Sequence, residues 1–243
     1  MIIIGIKNIS SVSLCEIKEK AEREDAFYRD YILSPIKEKE GEIQAKHSSA
    51  RGANITFLNE FCKQRFSKLP VFVTKENEKP CFEGEDGDVL FSFSHSDDLT
   101  VCAVSYNGIE KGKDALCIDE GKTLDLDGLG GEVKIAIDGS DGDISSLGVD
   151  IQKARETQIP LTYHHEKIGE RFFLPDDYKA LLATPTEDNF YRLWTKTESL
   201  AKMTGEGIAK YKKHGKEKAT SFTFAIKSQN DVYYLSVSMQ FVE

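Results

Sequence analysis

An α+β fold is the prediction for this chain, and three observations carry it. Short β-branched and aromatic runs bounded by turn residues, such as Leu99–Val104 and Val232–Ser238, read as strands. Between them lie longer charged stretches whose apolar residues recur at helical spacing, as between Thr184 and Gly205. Midway, residues 106–147 hold eight of the eighteen glycines and ten acidic against four basic residues. That segment divides the chain into an α+β half at 1–105, a glycine-rich acidic insertion at 106–147 and a second α+β half at 148–243.

Element by element, Met1–Ile6 is a first strand, since it is only six residues long and lacks the basic stretch and cleavage site of a signal peptide. Residues 14–31 form a charged surface helix that Ser34-Pro35 interrupts, because a residue before proline is pushed from helical angles. A second helical stretch runs from Ile36 through Phe61, and Leu69-Pro70 ends that region. Val71–Val73, Val89–Phe91 and Leu99–Val104 follow as strands, with Ser94-His95-Ser96 just before the last. Within the insertion, Leu124–Asp127 and Val133–Ile137 read as hairpin strands, in a place where added length is tolerated because loop-closure entropy grows slowly. Asp138–Asp143 lacks the spaced oxygens and closing acid of a calcium loop, so it reads as a solvated acidic turn. After Gly148–Ile151 comes a helix with Thr184 as N-cap, Pro185 at its first position, Glu187 as the reciprocal cap and Gly205 as its stop. Ser221–Ile226 and Val232–Ser238 close the chain as strands.

The formal charge of −9 argues against nucleic acid, whose phosphates are held by Lys and Arg. No window approaches the roughly 18 apolar residues of a membrane span. Five cysteines without paired spacing read as free buried thiols in a reducing compartment, and the expected location is the cytoplasm.

The chemistry-bearing residues are two carboxylates far apart in sequence. Asp150 follows an apolar strand-like run, and Glu198 lies on the amphipathic helix with Lys202 four residues on. Magnesium is a hard cation that takes one or two carboxylates, keeps part of its water and binds substrate phosphates. Two such acids brought together would therefore suit phosphate chemistry. Asp119, in the look-alike Cys117-Ile118-Asp119-Glu120, ranks below Asp150.

Leu147-Gly148-Val149-Asp150-Ile151-Gln152 and Trp194-Thr195-Lys196-Thr197-Glu198-Ser199-Leu200-Ala201-Lys202 resemble the two motifs of the 4'-phosphopantetheinyl transferases, of the larger pseudo-dimeric type that activates peptide and polyketide synthetases. Glu78-Lys79-Pro80, Phe93-Ser94-His95-Ser96, Ser34-Pro35-Ile36-Lys37 and Arg171 through Tyr178 resemble further segments of that family. Two departures stand out. Gln152 replaces a third acid, and Thr197 replaces a lysine.

What the resemblance implies is a pair of halves related by pseudo-twofold duplication, sufficient as a monomer. It implies transfer of 4'-phosphopantetheine from coenzyme A to a serine of an acyl or peptidyl carrier protein, releasing adenosine 3',5'-bisphosphate. Asp150, Glu198 and Gln152 would hold magnesium, or manganese in its place. Glu198, Lys202 and Asp177 would be catalytic. Ser94, His95, Lys79, Pro80 and Lys202 would bind coenzyme A, and Lys37, Lys46 and Arg51 are phosphate cations by position. The alternative is a coenzyme A-binding module without transfer activity.

Overall fold

In the computed structural model two sheets pack face to face, each covered on its outer side by helices. Residues 1–10, 14–24, 26–38, 41–64, 66, 71–73, 79–83, 89–106, 115–118, 121–137, 142–154, 160–214 and 219–242 are described. The first sheet has the order β4 (Leu90–Ser96), β5 (Leu99–Ser105), β1 (Ile2–Asn8), β8 (Glu132–Ile137), β6 (Leu116–Cys117). The second has the order β7 (Thr123–Asp125), β10 (Ala219–Ser228), β11 (Asp231–Phe241), β9 (Ile144–Ala154). A separate ribbon pairs β2 (Val71–Val73) with β3 (Cys81–Glu83).

Strand alternation explains the layering, because successive side chains leave a strand on opposite faces. Ile2, Ile4 and Ile6 of β1 join Leu147, Val149 and Ile151 of β9 in the core between the sheets. Each such fully buried side chain contributes about 1.5–3 kcal/mol. The intervening Ile3 turns outward to α1 (Leu14–Glu22), α2 (Ala26–Glu38) and α3 (Glu42–Lys63). On the far side, α4 (Tyr163–Phe172), α5 (Pro175–Ala183), α6 (Glu187–Thr204) and α7 (Ile208–His214) cover the second sheet.

The α+β class is as expected, and several local expectations are corrected. The helix expected over 14–31 is two helices, and Pro35 lies inside α2 instead of ending it. Proline lacks the N–H that would reach the carbonyl four residues back. Here that carbonyl, of Tyr31, accepts from Ser34 Oγ at 3.1 Å and from Arg51 Nη1 at 3.0 Å. The N-cap of α6 is Thr186, whose hydroxyl accepts from Asn189 N at 3.2 Å, and not Thr184. Thr184 instead caps the C-terminus of α5, Pro185 O accepts from Leu161 N, and the Glu187 carboxylate lies 3.1 Å from His165 Nδ1. Ser94-His95-Ser96 lies just before β5 as expected, and it also forms the end of β4, which is longer than the strand expected at Val89–Phe91. All five cysteines are free, but only Cys62 and Cys102 are buried.

Within the insertion, the two expected hairpin strands do not pair with each other. β8 runs antiparallel to β1 in the first sheet, whereas β7 runs parallel to β10 in the second. Each sheet thereby gains a strand from residues 106–147. Asp119 and residues 138–141 of the acidic turn lie outside the described residues. Among those described, no helix is long and apolar enough to cross a membrane.

Candidate active site

Two edge strands and a helix build one cleft. In the first sheet β4 is an edge strand, and in the second sheet β9 is the edge strand opposite it. An edge strand presents unpaired N–H groups. Here serine hydroxyls of β4 take them: Ser92 Oγ accepts from Val149 N at 3.1 Å, Ser94 Oγ from Ile151 N at 3.3 Å and Ser96 Oγ from Lys153 N at 3.0 Å. This ladder seams the two sheets together where Asp150 sits. Its signal in the sequence is the strict alternation Ser92-Phe93-Ser94-His95-Ser96, which puts the three hydroxyls on one face.

Asp150 and Gln152, two apart on β9, share a face. They look away from the core onto α6, where Glu198 and Lys202 stand one turn apart. Gly148 permits this approach: a Cβ there would lie 2.0 Å from Ser199 O and 2.5 Å from Met203 N. Phe93, Ser94, His95, Asp150, Gln152, Trp194, Glu198 and Lys202 line the resulting cleft of about 380 Å³. A neighbouring hollow of about 390 Å³ shares Phe93, Glu198 and Lys202 and adds Tyr31, Lys79 and Pro80.

At the cleft's centre, Lys202 Nζ donates to Asp150 Oδ1 at 2.7 Å and to Ser94 Oγ at 2.9 Å. Ser94 Oγ in turn donates to Asp150 Oδ1 at 2.8 Å. Asp150 is only 6% exposed, so this triangle supplies the partners its charge requires. Burial raises the pKa of Glu198, the Asp150 charge raises it further, and Lys202 opposes both. The Lys79 ammonium donates to the Leu147 carbonyl of β9, and burial, then Lys202, lowers its pKa to about 8.

On the opposite face of β4, the His95 ring lies 4.6 Å from that of His47. Burial, then His47, Lys202 and Arg51, lowers the His95 pKa to about 4. His47, His95, Lys46 and Asp97 line a hollow of about 510 Å³. Next to it, Arg51, Ser34, Pro35 and His47 line another of about 240 Å³.

The expected residues therefore divide. Asp150, Gln152, Glu198, Lys202, Ser94, His95, Lys79 and Pro80 line adjoining hollows. Lys46 and Arg51 lie further along, Lys46 bound to Asp97 at 3.1 Å and Asp98 at 2.8 Å. Asp177 does not line the cleft; it pairs with Lys196 at 2.8 Å. Lys196 is thereby engaged away from the site, and Thr197 is buried with its hydroxyl on Leu193 O at 2.9 Å. The side chain of Lys37 lies outside the described residues.

Among the described residues no three His, Cys, Asp or Glu side chains cluster to hold a metal. The donor set is instead two carboxylates and the Gln152 amide. Magnesium is often held by so few protein ligands, water and phosphate completing its shell. The mutual repulsion of Glu198 and Asp150 is what a cation placed between them would relieve, so the residues fit such an ion.

Residues 146–232 match the 4'-phosphopantetheinyl transferase superfamily. The chain is 28% identical to the 4'-phosphopantetheinyl transferase HetI of Nostoc sp., over 51% of this chain and 36% of that protein. It is 34% identical to the 4'-phosphopantetheinyl transferase psf-1 of Bacillus pumilus, over 28% and 27%, and 26% identical to Sfp of Bacillus subtilis, over 57% and 42%. The chain thus spans less than half the length of these curated relatives. The matched residues 146–232 carry Asp150, Gln152, Glu198 and Lys202.

Proposed function

We propose that this superfamily relative is a cytoplasmic enzyme that transfers 4'-phosphopantetheine from coenzyme A to a serine hydroxyl of an acyl or peptidyl carrier protein, leaving adenosine 3',5'-bisphosphate. One observation carries the reading. Asp150 from a strand and Glu198 from a helix meet across a cleft with Lys202 between the lobes. Nothing in an ordinary surface ion pair requires a second, buried carboxylate, Asp150, whose charge helps to raise the pKa of Glu198.

Asp150, Glu198 and Gln152 would hold magnesium, which would polarise the phosphoryl group and offset charge on the leaving oxygen. The chain's own residues account for the remainder. Lys202 adds a cation beside the pyrophosphate, and Lys79 and Pro80 border the same hollow. The hollow shared by His95, His47 and Lys46 is open to the 3'-phosphate, with Arg51 beyond it. Glu198, its carboxyl pKa raised by burial and by the Asp150 charge, is suited to accept the proton of the attacking serine. Asp177 is left out of the reacting group because Lys196 occupies it.

The matching strand orders β4-β5-β1 and β10-β11-β9 support reading the halves as a duplicated pair. Gly5 and Gly148 add to this: each lies beneath a long helix, facing Phe57 of α3 and Ser199 of α6. One chain then suffices to build the cleft. Incubation with coenzyme A, magnesium and carrier proteins tests the reading by mass spectrometry. The carrier should gain one phosphopantetheine with the parent protein and none with Glu198→Ala. Transfer by Glu198→Ala at the parental rate overturns the site, and coenzyme A binding without any carrier modification favours a binding module.

A further inference from the structure

The turn between β4 and β5 sets two carboxylates, Asp97 and Asp98, beside the hollow that His47 and His95 line. Asp97 lies in the left-handed region, at φ 49°, a conformation that Asp tolerates better than most side chains. The Asp98 carbonyl accepts from Ile9 N at 2.8 Å, which fixes the turn to the chain just beyond β1.

Cations of both sheets' layers converge on this turn. Lys46 of α3 lies 3.1 Å from Asp97 Oδ1 and 2.8 Å from Asp98 Oδ1. Lys153 of β9 lies 2.9 Å from Asp97 Oδ2 and 2.7 Å from Asp231 Oδ2. Two ammonium groups against three carboxylates leave one net negative charge. The Asp98 contact, and then that of Asp97, raises the Lys46 pKa. Asp98 Oδ1 is buried, so the ammonium beside it offsets a charge that water does not reach. Asp98 does not line the hollow; it grips Lys46 from outside it.

This grip bears on any phosphate that enters. Glu42 and Asp97 are the carboxylates of the hollow's described lining and Lys46 is its ammonium, while His95 is held neutral. A phosphate can take Lys46 only by drawing it away from Asp97 and Asp98, whose charges then repel the newcomer at close range. That cost falls on the group seated in this hollow and spares the rest of the ligand. Resting on the assignment of the hollow to the 3'-phosphate, we propose that Asp98 is a positioning residue that holds Lys46 back, and so narrows the preference of this chain for coenzyme A over donors that lack the 3'-phosphate.

Calorimetric titration of the full chain with coenzyme A and with 3'-dephospho-coenzyme A, at low salt, tests this. Asp98→Asn keeps the shape of the side chain and removes its charge. It should tighten coenzyme A binding about three- to tenfold, the scale of a part-exposed charge contact acting on a dianion, and leave 3'-dephospho-coenzyme A unmoved. Asp231→Asn takes an equal charge from the same cluster, but from Lys153, and should change coenzyme A binding less. In a Lys46→Met background the gain from Asp98→Asn should vanish, because no ammonium is left to release. An Asp98→Asn protein that discriminates between the two ligands as the parent does overturns the proposal, as does an equal gain from Asp231→Asn or a gain that survives Lys46→Met. If parent and Asp98→Asn alike bind the two ligands equally, the 3'-phosphate does not seat in this hollow, and the assignment beneath the proposal fails together with it.

Discussion

Lys202 of α6 pairs with Asp150 of β9, at 2.7 Å, and so ties the helix of one motif to the strand of the other. The Ser94 hydroxyl closes the triangle from the opposite half and also accepts from Ile151 N. Ser94→Ala removes both roles at once. It should lower stability by about 1–3 kcal/mol, the cost of an unsatisfied buried N–H, and reduce transfer through a misplaced Asp150. Ser94→Thr, which keeps the hydroxyl, should recover most of both in urea denaturation and carrier-loading assays. An alanine variant with parental stability and rate would show that the triangle positions nothing.

Glu198 gives a pH signature whose sign is fixed by its raised pKa. Between the ordinary value of 4.5 and the raised one, the folded chain binds more protons than the unfolded chain. Stability therefore falls as pH rises through that window, and the loss is complete above it. Glu198→Gln should melt at higher temperature than the parent above the window and at the same temperature below it. Magnesium should raise the melting temperature of the parent at neutral pH and leave that of Glu198→Gln unmoved. Parallel melting curves across the whole pH range would contradict the assignment.

His95 is held neutral at pH 7, with its pKa lowered to about 4 mainly by burial. Seating a phosphate against the ring favours its charged form, so coenzyme A should lift that value. By linkage, affinity should rise as pH falls through the interval between the free and bound values. Nuclear magnetic resonance titration of the ring, with and without coenzyme A, measures the shift. His95→Ala should weaken coenzyme A binding while leaving 3'-dephospho-coenzyme A nearly unaffected; equal losses for both would remove His95 from the 3'-phosphate.

The site was more legible in the sequence than the frame around it. Asp150, Glu198 and Lys202 were readable because strand and helix periodicities fix which side chains share a face, and the motif spacing did the rest. Asp177 pairs with Lys196 outside the cleft, a tertiary contact that no local pattern announces. Thr184-Pro185 mimics a helix start, yet both residues belong to the turn that closes α5. The middle segment was hardest. Its alternating runs looked like a local hairpin, whereas Leu124, Leu126, Ile135 and Ile137 all join the one core between the sheets, from strands that pair with β10 and β1. Alternation reveals a strand but not its partner, because pairing depends on edges supplied elsewhere in the chain.

Gly148 shows how a motif residue acts through space instead of chemistry. Its backbone is not in the left-handed region, so only the room for a side chain is at issue. Any Cβ would meet Ser199 O at 2.0 Å and Met203 N at 2.5 Å, backbone atoms of α6 that cannot rotate aside. At Gly5 the obstacle is the Phe57 ring at 2.4 Å, a side chain that can turn. Gly148→Ala should therefore lift α6 from β9, cost about 1–3 kcal/mol as overpacking does, and separate Glu198 and Lys202 from Asp150. Gly5→Ala should lose less stability and leave the cleft aligned. At a temperature where both variants remain folded, carrier loading should fall far more for Gly148→Ala than for Gly5→Ala; comparable rates would mean that the contact between α6 and β9 does not set the distance across the site.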